Sequence, residues 1–465
     1  MDTDQNTGKQ ATKPAPPIIG GLPLLGNVLA FQQDRARLIQ RGYEKYGPVF
    51  GFKLGPQPVA VMVGPELHQL FFMETDKKLA MDKPYRSLRA IFGDVAFLAS
   101  PEMYKEQRPV LYAPFTGPKM AQYVRIMQDV VQRWLDSLGA AGEIEISSAM
   151  GRLTQDVAGY ALMGEEFQRQ VGKEFWTLYA ELGKSLDLAT PPDWPLPKNI
   201  RRDRAKAKMR AILDPIIAER RQHPERYDDF LQDFVNTPLK SGKLTDDETI
   251  SALIRGLMFA GHETTAGQAA WTVIELLRNP EAQKRVQDEV DEYLPAGTCI
   301  DGALMRKMQN LAWSVREIER LHPSADILMR YAEEDLEAGD YVVPKGWMVM
   351  VAAGIAHRLP ALFKDPDKFD PLRYAPGRAE DTQHRFALIG FGGGMHRCAG
   401  VNFANNEMMV ITSLLFQQFE LELLDRNTRT VFGTGASKPS PTRVRYRRKW
   451  EAMAARLEAA GKELG

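Results

Sequence analysis

Cysteine is nearly absent: two residues, Cys299 and Cys398, in a chain of 465. That excludes a disulfide framework and makes a reducing compartment the natural setting. A charge excess is absent too, since 60 Lys plus Arg face 60 Asp plus Glu. Nothing therefore points to a protein that grips nucleic acid. No run of about 20 mainly apolar residues occurs, as a spanning helix needs. The best N-terminal candidate, Ile18 to Phe31, is broken by Gly20, Gly21, Pro23 and Gly26. Residues 1–13 lack the basic-then-apolar order of a signal peptide. The expectation is a soluble, cytoplasmic monomer with no integral membrane segment, a peripheral membrane contact being left open. With 44% hydrophobic and 26% charged residues, the composition is that of an ordinary globular protein rather than a disordered one.

Pro14, Pro16, Pro17 and Pro23 make residues 14–26 a stiff, extended lead-in. Valines and phenylalanines then alternate from Val49 to Val63 around Gly55-Pro56, which predicts a β-hairpin. From about 65 to 320 the pattern is mostly helical. One interruption, Thr190 to Pro197, has Pro or Trp at five of eight positions and cannot be helical. Its Trp194 suits a lip on a pocket, a membrane-touching edge or a plain surface connection.

One helix stands out. Thr245 with Glu248 fits a capping box, and an apolar-rich stretch runs from Ile250 to about Leu277 before Asn279-Pro280 stops it. Such a helix is about 50 Å long at 1.5 Å per residue. Its middle, Met258 to Ala270, is apolar or small nearly all round and is expected to be buried. Yet it carries His262, Glu263, Thr264 and Thr265, which cost free energy there unless partnered. After 325 short β-like runs (340–343, 347–351) follow, then a last helix from about Val401 to Phe419. No repeat is visible. The fold class predicted is mainly α with a smaller β region: one domain over 14–449, built round a long central helix, between a disordered segment 1–13 and a tail 450–465.

Three familiar motifs fail on inspection. Gly183-Lys184-Ser185 lacks the phosphate loop's first glycine, since position 178 is Leu. His262-Glu263 lacks a second His at 266, which is Ala. Gly390-Phe-Gly392 has Met395 where a dinucleotide fingerprint has Gly. The segment Phe391-Gly-Gly-Gly-Met-His396-Arg-Cys398-Ala-Gly400 is different. Its glycines let the backbone bend tightly before a lone cysteine at a helix start, where the dipole and the adjacent His396 and Arg397 favour a thiolate. Read by itself, it is equally a buried structural cysteine in a glycine-rich turn.

That segment also resembles the cysteine-ligand loop of the cytochrome P-450 family, Phe-x-x-Gly-x-x-x-Cys-x-Gly, at every fixed position. Glu317-Ile-Glu-Arg320 is similar to the family's Glu-x-x-Arg, Arg373 in Phe-Asp-Pro-Leu-Arg-Tyr to its partner arginine, and Ala260-Gly-His-Glu-Thr-Thr265 to its oxygen-activating stretch. Within the family, Tyr85, Phe92-Gly93, Ser100 to Lys105, Ile327-Leu-Met-Arg330 and Arg443 to Arg448 resemble the sterol 14α-demethylase branch. The chain departs from that branch at Glu263, where His is usual, at Ser87, where an aromatic or Leu is usual, and by one residue missing after Gly93.

The resemblance implies haem b (iron protoporphyrin IX) as cofactor, with O2 as co-substrate and Cys398 as the metal ligand. Phe391 and Gly400 would shape the ligand loop, Ala260 would lie against the cofactor and with Gly261 leave room for oxygen and substrate, and Cys299 is incidental. Tyr85, Lys105, Arg330 and His396 would meet the anionic propionates, although His396 equally caps a loop. Thr264 would hold a hydroxyl or water beside the oxygen and Glu263 would relay protons, against the reading of a Thr bonded back to its own helix turn. Glu317, Arg320 and Arg373 are expected to be a buried structural network. Ser87, Leu88, Phe92, Ala260, Ala325 and Ile327 are expected to line a pocket for a small, bulky apolar substrate: a sterol, a terpenoid or another lipid. No flavin or nicotinamide fingerprint is present, so electrons would come from a separate redox partner, a ferredoxin or a flavoprotein reductase. The run Arg443 to Lys449 suits its docking, or is only a solvated strand face. The expected activity is monooxygenation. The alternatives, a peroxide-driven or isomerising haem-thiolate enzyme or a haem sensor, have no need of Glu263 and Thr264.

Overall fold

The computed structural model describes residues 13–185, 192–433 and 436–449. Of the expected N-terminal segment only Lys13 is among them; the expected tail and the first residues of the 190–197 segment lie outside. The chain falls into two compact units, 1–84 with 327–356, and 85–326 with 357–465. Each is assembled from separated pieces of sequence, so neither can be cut out as a module.

In the smaller unit the proline-rich lead-in runs alongside the first strand, with Gly51 N–H donating to Pro17 O at 2.7 Å. The predicted hairpin forms as Val49–Leu54 against Gln57–Met62, antiparallel and in register Val49 to Met62. Gly55, at φ 60°, supplies the left-handed turn position that other residues avoid. Strand Met348–Val351 adds in parallel, then Leu328–Ala332 and Leu79–Ala80 complete a five-stranded sheet. Arg330 sits on this sheet, 2% exposed, with Nε donating to Thr75 Oγ1 at 3.1 Å and its guanidinium over Phe71.

The larger unit is helical. Its central helix spans Asp247–Arg278, 32 residues, and ends at Asn279 as expected. The cap is Asp246 rather than Thr245: extended at φ −71°, ψ 159°, it accepts from Thr249 N–H and Oγ1, while Thr245 Oγ1 is buried without a partner. The central helix packs on Ile146–Ala158, Gln309–Leu321 and Val401–Gln418. Strand Ser437–Pro439 crosses so closely that a Cβ on Gly267 would lie 3.0 Å from Ser437 O. From Thr265 to Leu276 the helix is buried all round, and Trp271 stacks on His322 at 3.7 Å. Strand Arg443–Arg448 lies between Ala141–Glu145 and Phe419–Leu423. Val444 and Tyr446 point inward, while Arg443, Arg445 and Arg447 face Asp425, Glu143, Glu422 and Glu420. The basic run is a paired, solvated face. Trp194 is 56% exposed on a non-helical segment. Among the described residues no helix is long and apolar enough to cross a membrane.

Candidate active site

Glu317 is fully buried on helix Gln309–Leu321 and takes five donors. Arg320 reaches it with Nε and Nη2, both at 2.8 Å, and Arg373 with Nε at 3.0 Å. Tyr374 Oη (2.9 Å) and the Asp370 N–H (2.9 Å) complete the shell. Arg373 Nη1 also meets Glu380 at 2.6 Å, and Glu380 meets Arg378 at 2.6 Å. The expected network is present and larger than the motif residues. Every buried charge has a counter-charge or carbonyls, which is what makes such burial tolerable.

This network reaches the cysteine loop through His357. Arg320 Nη1 donates to His357 O at 2.8 Å, and the Ile389 N–H donates to His357 Nε2 at 2.9 Å. Nε2 must then be the unprotonated nitrogen, so Nδ1–H donates to Arg320 O at 3.2 Å. A second brace is Glu319, whose side chain lies against Gly390 so tightly that a Cβ there would sit 2.6 Å from Glu319 Cγ. Burial pushes this carboxyl up to about 7, against the pull of Arg316, Arg397 and the Phe391 and Gly390 N–H groups.

Beyond Phe391 the chain turns through Gly392 (φ 70°) and Gly394 (φ 64°), left-handed positions that suit glycine. The Cys398 N–H closes the loop on Phe391 O at 2.9 Å. Helix Pro101–Tyr112 holds the loop from outside: Tyr104 Oη donates to Met395 O at 3.0 Å and Tyr112 Oη to Arg397 O at 3.1 Å. The Tyr104 ring also packs on His396 at 4.1 Å. These contacts brace the loop that carries Cys398. Part of Cys398 reaches the surface, but burial of its thiol is the largest influence and pushes it up; the Gly400 N–H and Arg397 pull it down by less. Helix Val401–Gln418 starts three residues after Cys398.

On the central helix the expected burial of Met258 to Ala270 fails at the point of interest. Ala260, Gly261 and Glu263 are exposed, and nothing lies within 4 Å of where a Gly261 Cβ would be. A helix enclosed for most of its length thus opens onto space beside its smallest residues. Thr264 Oγ1 donates to Ala260 O at 2.6 Å, the arrangement of a Thr bonded back to its own helix turn. Its proton is committed, while its lone pairs remain able to accept. Ser324 Oγ donates to Thr264 O at 3.0 Å. His262 turns away, to Gly151 O at 3.0 Å. Glu263 neighbours Tyr179, whose hydroxyl is pushed well up by burial and then by that carboxylate.

Phe92, at the end of helix Arg86–Phe92, packs on Phe259 of the central helix at 4.9 Å. Ser87 and Leu88 on that short helix, Tyr85 before it and Ala325 next to Ser324 are all half-buried. Lys105 is exposed. Arg330 and Ile327 belong to the smaller unit. Cys299 Sγ lies 4.0 Å from Ile300 O. Sequence reasoning missed Tyr104, Tyr112, His357, Glu319, Tyr374 and Glu380. Three of them stand inside motifs that the sequence shows: Tyr104 beside Lys105, Glu319 between Glu317 and Arg320, and Tyr374 next to Arg373. These residues fit an iron porphyrin: one sulfur offered by a braced loop, and small residues leaving space along a buried helix.

Comparison with known proteins agrees. The family model described as Cytochrome P450 matches residues 14–444. A sterol 14α-demethylase of Mycobacterium bovis is 33% identical over 447 residues, covering 93% of this chain and 98% of that protein. The human lanosterol 14-alpha demethylase is 31% identical over 448 residues, 94% of this chain and 87% of its own. Among solved structures, a retinoic acid-bound cyanobacterial CYP120A1 superposes with TM-score 0.83 at 27% identity, covering 94% of this chain and 100% of that one.

Proposed function

We propose that this chain, which belongs to the cytochrome P450 family and is a haem-dependent monooxygenase using O2, acts on a bulky apolar molecule of sterol or terpenoid size other than a 14α-methyl sterol. The observation that carries the reading is the pairing of a single braced thiol, Cys398, with a central helix that is open at Ala260 and Gly261. Residues 14–449 would form one monomeric haem domain. Cys398 would hold the iron of haem b, and its thiolate would supply the electron donation that oxygen activation needs. Tyr85, Lys105 and His396 would donate to the propionates, with Arg330 as the fourth candidate. The family implies a separate redox partner; a ferredoxin or a flavoprotein reductase would serve.

Thr264 accepts a hydrogen bond from a water while its own proton stays on Ala260 O, so that water is oriented and held over Ala260. Glu263, exposed one residue earlier, takes protons from solvent and passes them inward. Ser87 offers a small polar side chain where a strict sterol pocket has a large apolar one, and Ala325 is similarly reduced. Two such losses forgo about 2–4 kcal/mol of apolar burial, roughly tenfold or more in affinity for a sterol. The test compares lanosterol-type sterols with other terpenoids, steroids and fatty acids, by binding constant and turnover. A 14α-methyl sterol should be neither the tightest ligand nor the fastest substrate. If it is both, the substrate reading is wrong.

A further inference from the structure

Within the apolar run of the central helix stands one arginine. Arg255 is 2% exposed, yet among the described residues it makes no ion pair. Its only hydrogen bond runs from Nη1 to Ser251 Oγ at 2.7 Å, and Nε is buried without a partner. The acids nearby are already engaged. Glu248 meets Arg210 at 3.2 Å, Asp214 meets Arg210 at 3.5 Å, and Asp203 holds Arg202 at 2.8 Å. A second cation approaches the same place: Lys206, half-buried on helix Pro197–Gln222, donates to Ala90 O of helix Arg86–Phe92 at 3.1 Å. Burial pushes the Arg255 guanidinium down to about 10. It pushes Lys206 down as well, with Arg255 as the next cause.

Arg255 lies on the stripe of the central helix that faces helix Arg86–Phe92 and the turn after it. On that stripe Ala252 approaches Gly93, Gly256 approaches Val95, and Phe259 packs on Phe92. A buried fork of donors that feels Glu248 and Asp214 only at a distance, with no carboxylate in contact, one turn from the aromatic pair bordering the open part of the helix, is built to be completed by something that brings a negative charge.

We propose that Arg255, supported by Lys206, receives the carboxylate of an apolar carboxylic acid. The inference rests on the monooxygenase reading and narrows its substrate class. A guanidinium presents parallel N–H groups that match a carboxylate's two oxygens, and the site excludes most of the water that would weaken the pair. Thr264 lies nine residues further on, about 13 Å along the axis. The oxidised carbon would therefore stand well down the molecule from its acid end, as in a terpenoid or long-chain acid. Exposed Arg201, Arg204 and Lys208 on the neighbouring helix add a basic face that would steer such anions inward.

The experiment titrates the haem-loaded enzyme with two matched pairs, all-trans-retinoic acid and its methyl ester, and palmitic acid and its methyl ester, following the Soret band. At least one acid should bind tenfold or more tighter than its ester. In Arg255→Met that acid should weaken by tenfold or more while the ester stays within about twofold; Arg255→Lys should fall between. Equal binding of acid and ester by the native enzyme overturns the proposal, as does a preference that survives in Arg255→Met. If Arg255→Met does not fold, the native pairs and Arg255→Lys still decide. If neutral terpenoids or steroids shift the band and none of the acids does, the carboxylate site is refuted while the monooxygenase reading stands. If the reduced carbon-monoxide spectrum shows no thiolate band, that reading itself has failed.

Discussion

Arg320 and Arg373 have no exposed surface, and each lies against a carboxylate, Glu317 or Glu380; Arg255, equally buried, meets one serine hydroxyl. The consequences show in the charges themselves. Burial pulls the Arg373 guanidinium down, but Glu317 and Glu380 outweigh it and the net shift is upward. For Arg255 burial outweighs the distant pull of Glu248 and Asp214 and brings it down to about 10. The first cluster is complete within the chain and connects to the cysteine loop through His357. The second is complete only with a partner from outside. A closed ion network builds a scaffold, and an open one marks where recognition takes place.

The largest expected effect breaks the first cluster and spares the second. Arg373→Met should leave Glu317 with Arg320 as its one cation and Glu380 with Arg378, and, as a break in a buried ion network, cost about 3–5 kcal/mol, read as a fall in the urea midpoint or as failure to take up haem. The same change at Arg255 removes a charge that has no partner to strand, so stability should hold or rise by about 1–2 kcal/mol. Equal losses at both sites would erase the distinction.

Thr264→Ala sharpens the comparison on the central helix. It deletes a hydroxyl whose proton is already satisfied by Ala260 O, so folding and haem uptake should hardly change. The oriented water is lost, and product formed per reducing equivalent should fall by about tenfold, with peroxide rising, as expected for removal of a positioned proton donor. Unchanged coupling would make Thr264 an ordinary helix residue.

Charge completion was only partly readable in advance. Cys398, Glu317, Arg320, Arg373 and the central helix are visible in the sequence because short, fixed spacings carry them. His357 and Glu319 brace the cysteine loop from 32 and 71 positions before Ile389 and Gly390; no local pattern marks His357, and the spacing that marks Glu317 and Arg320 says nothing of Glu319's contact. The cap choice between Thr245 and Asp246 is a matter of one backbone conformation. Thr264's hydrogen bond is a rotamer choice with two good answers. Arg255 was in plain sight, but a single charge in an apolar run says nothing until its neighbours are known to be engaged elsewhere. The room at Ala260 and Gly261 follows from their size, whereas burial of the whole stretch Met258 to Ala270 does not hold, because only packing shows where the neighbours of a helix stop.

A smaller effect is expected at Glu407, 2% exposed on helix Val401–Gln418 with Oε1 unpartnered. Burial holds its carboxyl well above the ordinary value, so the folded protein keeps the proton that the unfolded chain releases near pH 4.3. A folded value above the unfolded one means stability is greatest below about pH 4.3 and declines as pH rises towards the folded value. Glu407→Gln should remove that decline, gaining about 1–2 kcal/mol at pH 8 relative to pH 5. Parallel melting curves for both proteins across that range would show that Glu407 ionises freely.

The most direct test is at Cys398. The reduced, carbon-monoxide-treated native protein should absorb at about 450 nm, as thiolate-ligated haem does, and Cys398→Ala should lose that band while Cys299→Ala keeps it. A band near 450 nm that persists in Cys398→Ala would contradict the account, because the loop braced by Tyr104, Tyr112, Glu319 and His357 would then be presenting the wrong atom.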